Sequence, residues 1–130
     1  MSSHPLIKQY LARHGVPEAA RSDGRATVLI DEKYRVHFTS TRQGWLAITA
    51  RLCGLPPAGA ERDEFFLTVG RNASGMLARQ PSGCVVDPAG EALWLQHVLL
   101  PEADALGMDE AVGSFANALS FWSGVLQRAA

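Results

Sequence analysis

The stretch EALWLQHVLL, residues 91 to 100, constrains the fold more than any other part of the chain. It follows Asp87-Pro88-Ala89-Gly90, where Pro at the second position and Gly at the fourth suit a type I turn. The stretch should therefore be the return arm of a hairpin, "SGCVVD" being the outgoing arm and Pro101 its end. Successive side chains of a strand point to opposite faces. Leu93, Leu95 and Leu99 then lie on one face, and Trp94, Val98 and Leu100 on the other. A strand apolar on both faces needs cover on both, and a chain of 130 residues has little material for that.

The same length argues for one domain, residues 1–130, large enough to bury a real core. Apolar residues make up 47% and charged residues 19%, which excludes a disordered chain. A formal net charge of −1, with Lys and Arg scattered singly, offers no footprint for nucleic acid or anionic lipid. Apolar runs are far too short for membrane insertion, and the start, MSSHPLIKQYLARHG, lacks a signal-peptide core, so a cytoplasmic protein is expected. In that compartment Cys53 and Cys84, which have no metal-ligand spacing, should be reduced and act as small core hydrophobes.

The first segment reads as a helix that Ser3 can cap and Gly15 can stop, with Pro17 beyond. Its stripe is Leu6, Ile7, Tyr10 and Leu11. Residues 26 to 53 then change period. "ATVLID", "YRVHFTS" and "GWLAITARLC" are strand-like runs separated by "DEK" and "TRQG", which read as hairpin turns. In the middle run Tyr34, Val36 and Phe38 form a dry face, and Arg35, His37 and Thr39 a wetter one. After the loop "GLPPAGAERDE", Phe65, Phe66, Val69, Ala73, Met76 and Leu77 fall on one helical face. Gly70 and Gly75 inside that helix each cost about 1 kcal/mol relative to Ala, a cost understandable where another backbone approaches. The last helix, with Asp109 as its expected cap, carries Met108, Val112, Phe115, Ala116, Leu119, Trp122 and Val125 or Leu126 at helical spacing. The order α-β-β-β-α-β-β-α predicts an α+β fold, a twisted antiparallel sheet packed with helices.

Catalytic signals are weak. Cys84 and His97 sit on paired arms of one hairpin and could form a thiolate nucleophile, but no third residue orients them. The bland alternative is an inert thiol beside a partly solvated strand histidine. The acidic pairs at 31–32, 63–64 and 109–110 fall at turns or helix starts, where carboxylates cap or stay solvated. "GRNASG" follows no strand and opens no helix, so it fails as a phosphate loop. No cofactor or metal is called for, and an enzyme is not expected.

Apolar surface, by contrast, is in surplus. The stripes of the first and last helices can cover one sheet face, which leaves the stripe of the middle helix and the second face of the 91–100 arm. Large apolar patches on a soluble chain mark interfaces, and a two-fold dimer lets one patch cover its own copy. A monomer that buries everything internally is the alternative.

Taken in order, these segments resemble the class I chaperones of bacterial type III secretion, the Tir-chaperone (CesT-like) family. The resemblance rests on a helix ending in "HGVP", on "VLIDEKYRVHF" and "GWLAITARLCGLP", and on "DEFFLTVGRN". It continues through "CVVDPAGEALWLQHVLLP" to "LGMDEAVGSFANALSFWSGVL". It implies a non-enzymatic homodimer of secretion-chaperone fold in the bacterial cytoplasm. Such a dimer holds the N-terminal segment of a secreted effector extended on its surface and keeps it secretion-competent. It also leaves room for a secretion-apparatus ATPase as a further partner. By the same resemblance the dimer element falls on Phe65, Phe66, Val69, Ala73 and Met76. The effector groove falls on Leu6, Tyr10 and Leu11, with Val28, Ile30, Val36, Phe38 and Trp45 open between groove and core. Two other readings compete: a regulatory or adaptor dimer of the same fold that binds a folded partner, and a small Cys–His enzyme.

Overall fold

Two periodicities in the sequence become two layers in space. The computed structural model describes residues 5–14, 25–30, 33–76 and 82–129. The elements are α1 (Pro5–Arg13), β1 (Arg25–Ile30), β2 (Tyr34–Ser40), β3 (Leu46–Gly54), α2 (Ala60–Met76), β4 (Gly83–Val86), β5 (Ala92–Leu99) and α3 (Ala105–Ala129). That is the order expected from the sequence. The expected caps and stops of α1 at Ser3, Gly15 and Pro17, and Leu77 after α2, lie outside the described residues.

The strands form one five-stranded antiparallel sheet in the order β1-β2-β3-β5-β4. The register aligns Val28 with Val36, Phe38 with Ile48, and Ala50 with Leu95, so these side chains share one face. On that face Val36, Phe38, Ile48, Ala50, Leu93 and Leu95 are almost wholly removed from water. Each large side chain buried this way contributes about 1.5–3 kcal/mol. Helix α3 lies over β3 and β5 and packs along α1. The Tyr10 ring meets Phe38 at 5.4 Å, which seats α1 on the same face. The stripe of α3 is buried at Met108, Val112, Phe115, Leu119, Trp122 and Val125, while Ala118 takes the deep position expected of Ala116.

Three local expectations change. Helix α3 starts five residues earlier than a cap at Asp109 would set it, because Asp104 caps it: its Oδ1 accepts the Gly107 N–H at 2.8 Å. Asp109 is therefore not the cap; it accepts a charge-assisted bond from Arg13 Nη2 at 2.7 Å and ties α3 to α1. The "TRQG" connection is a short 3₁₀ turn, Arg42–Gly44, with Gln43 and Gly44 at φ 63° and 81°. It closes by Thr41 N–H donating to the Trp45 carbonyl at 2.9 Å, which leaves Trp45 outside β3. The wetter face of β2 is not uniformly wet either. His37 is buried there, hydrogen-bonded to Thr27 at 2.8 Å and 5.9 Å from the Trp94 ring.

The Asp87–Gly90 turn forms as expected. Gly90 N–H donates to the Asp87 carbonyl at 2.9 Å, and Gly90 takes φ 71°. Asp87 Oδ1 also accepts the Glu91 N–H at 2.8 Å, and that bond leads in holding the carboxyl below its usual range.

Candidate functional site

Helix α2 connects β3 to β4 and is the least embedded of the three described helices. Of its 17 residues only Val69 is buried. Phe65, Ala73 and Met76 are half-buried, and Phe66 and Leu67 are 38% and 51% exposed. The one apolar stripe expected of this helix is therefore present but largely uncovered within the chain. A Cβ built at Gly70 or Gly75 would meet nothing within 4 Å, so no described part of this chain accounts for those glycines. Between α2, the end of β3 and the end of α3 runs a groove of about 860 Å³, lined by Leu55, Phe65, Thr68, Asn72, Val125 and Leu126 among others.

A second uncovered strip answers the question posed by β5. Leu93, Leu95, His97 and Leu99 face the helices and are buried. On the other side Trp94 is half-buried, but Val98 is 43% exposed, and Val85 of β4 is exposed on the same face. Nothing described in this chain covers them.

The expected groove residues divide sharply. Leu6, Tyr10, Leu11, Val28, Val36 and Phe38 come together, but as the packed layer between α1, β1 and β2. Val36 and Phe38 reach no solvent, whereas Leu6, Tyr10 and Val28 keep a thin exposed rim. Ile30 is half-buried at the end of β1, and Trp45 is half-buried in the turn before β3. Among the described residues β1 is an edge strand, with no partner strand on one side of its backbone.

The catalytic alternative loses its chemistry. Burial pushes the Cys84 thiol up to about 12, with Cys53 nearby adding to the effect, so a thiolate is disfavoured at neutral pH. Burial also raises Cys53 and lowers His97. Cys84 is paired with Leu95, not with His97, whose Nδ1 has no hydrogen-bond partner. His97 is thus a buried strand histidine, not a partly solvated one. Among the described residues no group of three or more His, Cys, Asp or Glu could hold a metal ion. No described helix is long and apolar enough to cross a membrane.

A sheet backed on one face by two helices, with a third helix and part of the second face left uncovered, defines a protein built to bind other chains. Comparison with known proteins gives that class a family. The sequence profile of the Tir chaperone protein (CesT) family matches residues 5–123. The chain belongs to that family, the class I type III secretion chaperones, and is not an enzyme. No curated protein matches the chain in sequence. Among solved structures, a chain of the ExsC–ExsE complex superposes with a TM-score of 0.69 at 17% identity, covering 92% of this chain and 90% of that one. A chain from the complex of the Yersinia pestis type III secretion chaperone SycH with a stable fragment of YscM2 gives 0.63 at 15% identity, covering 94% and 100%. One from the heterodimeric ExoU–SpcU complex of the Pseudomonas aeruginosa type III secretion system gives 0.65 at 18%, covering 92% and 96%. At these identities the likeness is one of fold.

Proposed function

We propose that the chain is a single-domain cytoplasmic chaperone that binds the N-terminal segment of a secreted effector in extended form and keeps it secretion-competent. The observation that carries this reading is the family match over residues 5–123. Several of the structures it resembles are complexes of secretion chaperones or of secretion-system proteins with a bound partner, which favours a protein client over a small-molecule ligand.

The working form is a homodimer joined through α2. Phe65, Phe66, Val69, Ala73 and Met76 are the contact residues, and the exposure of Phe66 and Leu67 supports that choice. The client lies along α1 and the open edge of β1. Leu6, Tyr10 and Val28 offer it their rims, backed by Leu11, with Ile30 and Trp45 at the ends. Val36 and Phe38 hold the floor from beneath. An extended segment gains backbone hydrogen bonds at a free strand edge and places alternate side chains on apolar surface. Ordering it costs several kcal/mol, so a long surface is needed, and two-fold doubling supplies the length. Once loaded, the complex is presented to the secretion-apparatus ATPase.

The test is reconstitution with a secreted client, sought first among the proteins encoded beside this gene or pulled down from the native cytoplasm. Light scattering should give two chaperone protomers per client, and hydrogen exchange should show protection along α1 and β1 in the chaperone and along one extended stretch of the client. A strict monomer at micromolar concentration that no client alters would end the proposal. Protection confined to a compact patch on a folded partner would transfer it to the adaptor reading.

A further inference from the structure

The β2–β3 ladder runs from Ser40 opposite Leu46 to His37 opposite Thr49 and stops there. Both strands continue: β2 stays paired to β1 through Tyr34, and β3 stays paired to β5 through Gly54. The next pair on the outer face would set Arg35 directly opposite Arg51, and like charges facing across a ladder are destabilising. The strands part at that point. Between them lies a cleft of about 640 Å³ whose lining includes Ala50 and Leu119, both buried, so it reaches through the sheet to α3.

Four of the chain's twelve Lys and Arg residues line this one cleft, Arg25, Lys33, Arg35 and Arg51, and among the described residues none that lines it is acidic. Arg35 and Arg51 are exposed, and among the described residues neither has an ion-pair partner. Leu29, on the same rim, is 63% exposed. Cations around an apolar floor, between two strand edges that lack ladder partners, suit one kind of occupant.

We propose that this cleft binds the carboxylates of an extended acidic stretch of the client, one side chain bridging the Arg35 and Arg51 guanidiniums. The proposal rests on the chaperone reading and names a chemical feature of its client. A carboxylate between two guanidiniums forms charge-assisted, often bidentate bonds and removes the repulsion that parts the strands. The free strand edges supply hydrogen bonds that a peptide backbone can match and a phosphodiester cannot. The chain's net charge of −1 also works against a long polyanion.

The full-length protein is titrated, by fluorescence polarisation, into three labelled probes: a ten-residue peptide of alternating Glu and Thr, its Gln–Thr counterpart, and a ten-residue oligo-dT. The Glu peptide should bind about tenfold more tightly than the Gln peptide, weaken with salt, and lose that preference in R35Q/R51Q. The double variant should melt no lower than the parent, because it removes a like-charge pair. Equal binding of the two peptides overturns the proposal, as does oligo-dT binding without Glu-peptide binding. Glu-peptide binding that appears only in D31N/E32Q assigns the cleft to the chain's own acidic turn and also overturns it. A reconstituted client that binds R35Q/R51Q as tightly as the parent refutes the carboxylate cleft and leaves the chaperone reading standing. A parent that binds the Glu peptide but no client does the reverse.

Discussion

Helices α2 and α3 carry apolar stripes of similar design and meet opposite fates. In α3, a 25-residue helix, the stripe is spent on the chain's own sheet and on α1, with Met108, Phe115, Leu119 and Trp122 almost fully buried. In α2 the stripe buries one valine and leaves Phe66 exposed, with Leu67 exposed beside it. Periodicity tells how wide an apolar face is; only the tertiary structure tells what remains to cover it. One helix builds the protomer, and the other leaves most of its stripe uncovered by the described chain.

The contrast breaks most directly in the core. Phe115→Ala removes a ring with no exposure, a change that costs about 3–5 kcal/mol in folded proteins. Phe66→Ala in α2 should cost under about 1 kcal/mol when protomers are kept apart by dilution, since that ring is already half in water. Urea unfolding of both variants measures the gap; equal losses would mean α2 is as much a part of the core as α3.

Association is the next discriminator. Phe66→Glu sets a charge on the α2 face where it stays solvated in a lone protomer but would be buried in a dimer. The variant should fold, keep its far-ultraviolet spectrum, and sediment as a monomer. Val69→Glu should also abolish the dimer but is less clean, because Val69 is buried within its own chain and the fold pays as well. A Phe66→Glu protein that remains dimeric would move the interface away from α2.

Two glycines carry the comparison to the backbone. Gly90→Ala at φ 71° meets no neighbouring atom, so its expected cost of roughly 1–2 kcal/mol is purely that of a left-handed conformation. Gly70→Ala has equal room but lies inside α2, where Ala is the better helix former by about 1 kcal/mol. The lone protomer should gain stability from it. If a partner's backbone packs against Gly70, light scattering will find the dimer weakened by the same change; a strengthened dimer would show that face to be open.

How far the sequence could be read follows the range of the interactions involved. Element order was legible because it rests on period and on turn residues such as Asp87-Pro88-Ala89-Gly90, all local. The cap of α3 was missed because Asp104 and Asp109 both precede helix-forming residues, and the stripe begins visibly only at Met108. The groove set was harder. A stripe of Leu6, Tyr10 and Leu11 reads identically whether it faces a client or its own sheet, and only the Tyr10–Phe38 contact shows that most of its area packs on the sheet. The basic cleft was out of reach altogether, since Arg35 and Arg51 meet only once the β2–β3 register is known.

The smallest expected effect concerns the one histidine on the core face of β5. Burial lowers the His97 pKa from its ordinary 6.5, with Nδ1 unpartnered and Ser82, whose hydroxyl is also buried without a partner, at the neighbouring edge of β4. An imidazole depressed in the native state takes its proton later than in the unfolded chain. As pH falls through 6.5 the unfolded chain therefore gains protons first and stability declines; the decline levels off only below the native-state value. His97→Gln should flatten that segment of the pH–stability curve while leaving the acid limb set by Asp87 and Asp109 in place. Both carboxyls are held below their usual range, so the stability they give is present above the unfolded carboxylate value and lost as pH falls through the lower native-state one. Urea midpoints followed from pH 8 down to about pH 2 separate the two limbs. An unaltered slope in His97→Gln would show that this imidazole is not the group that titrates, and would place the β4–β5 edge, unlike the α1–α3 layer, in contact with water.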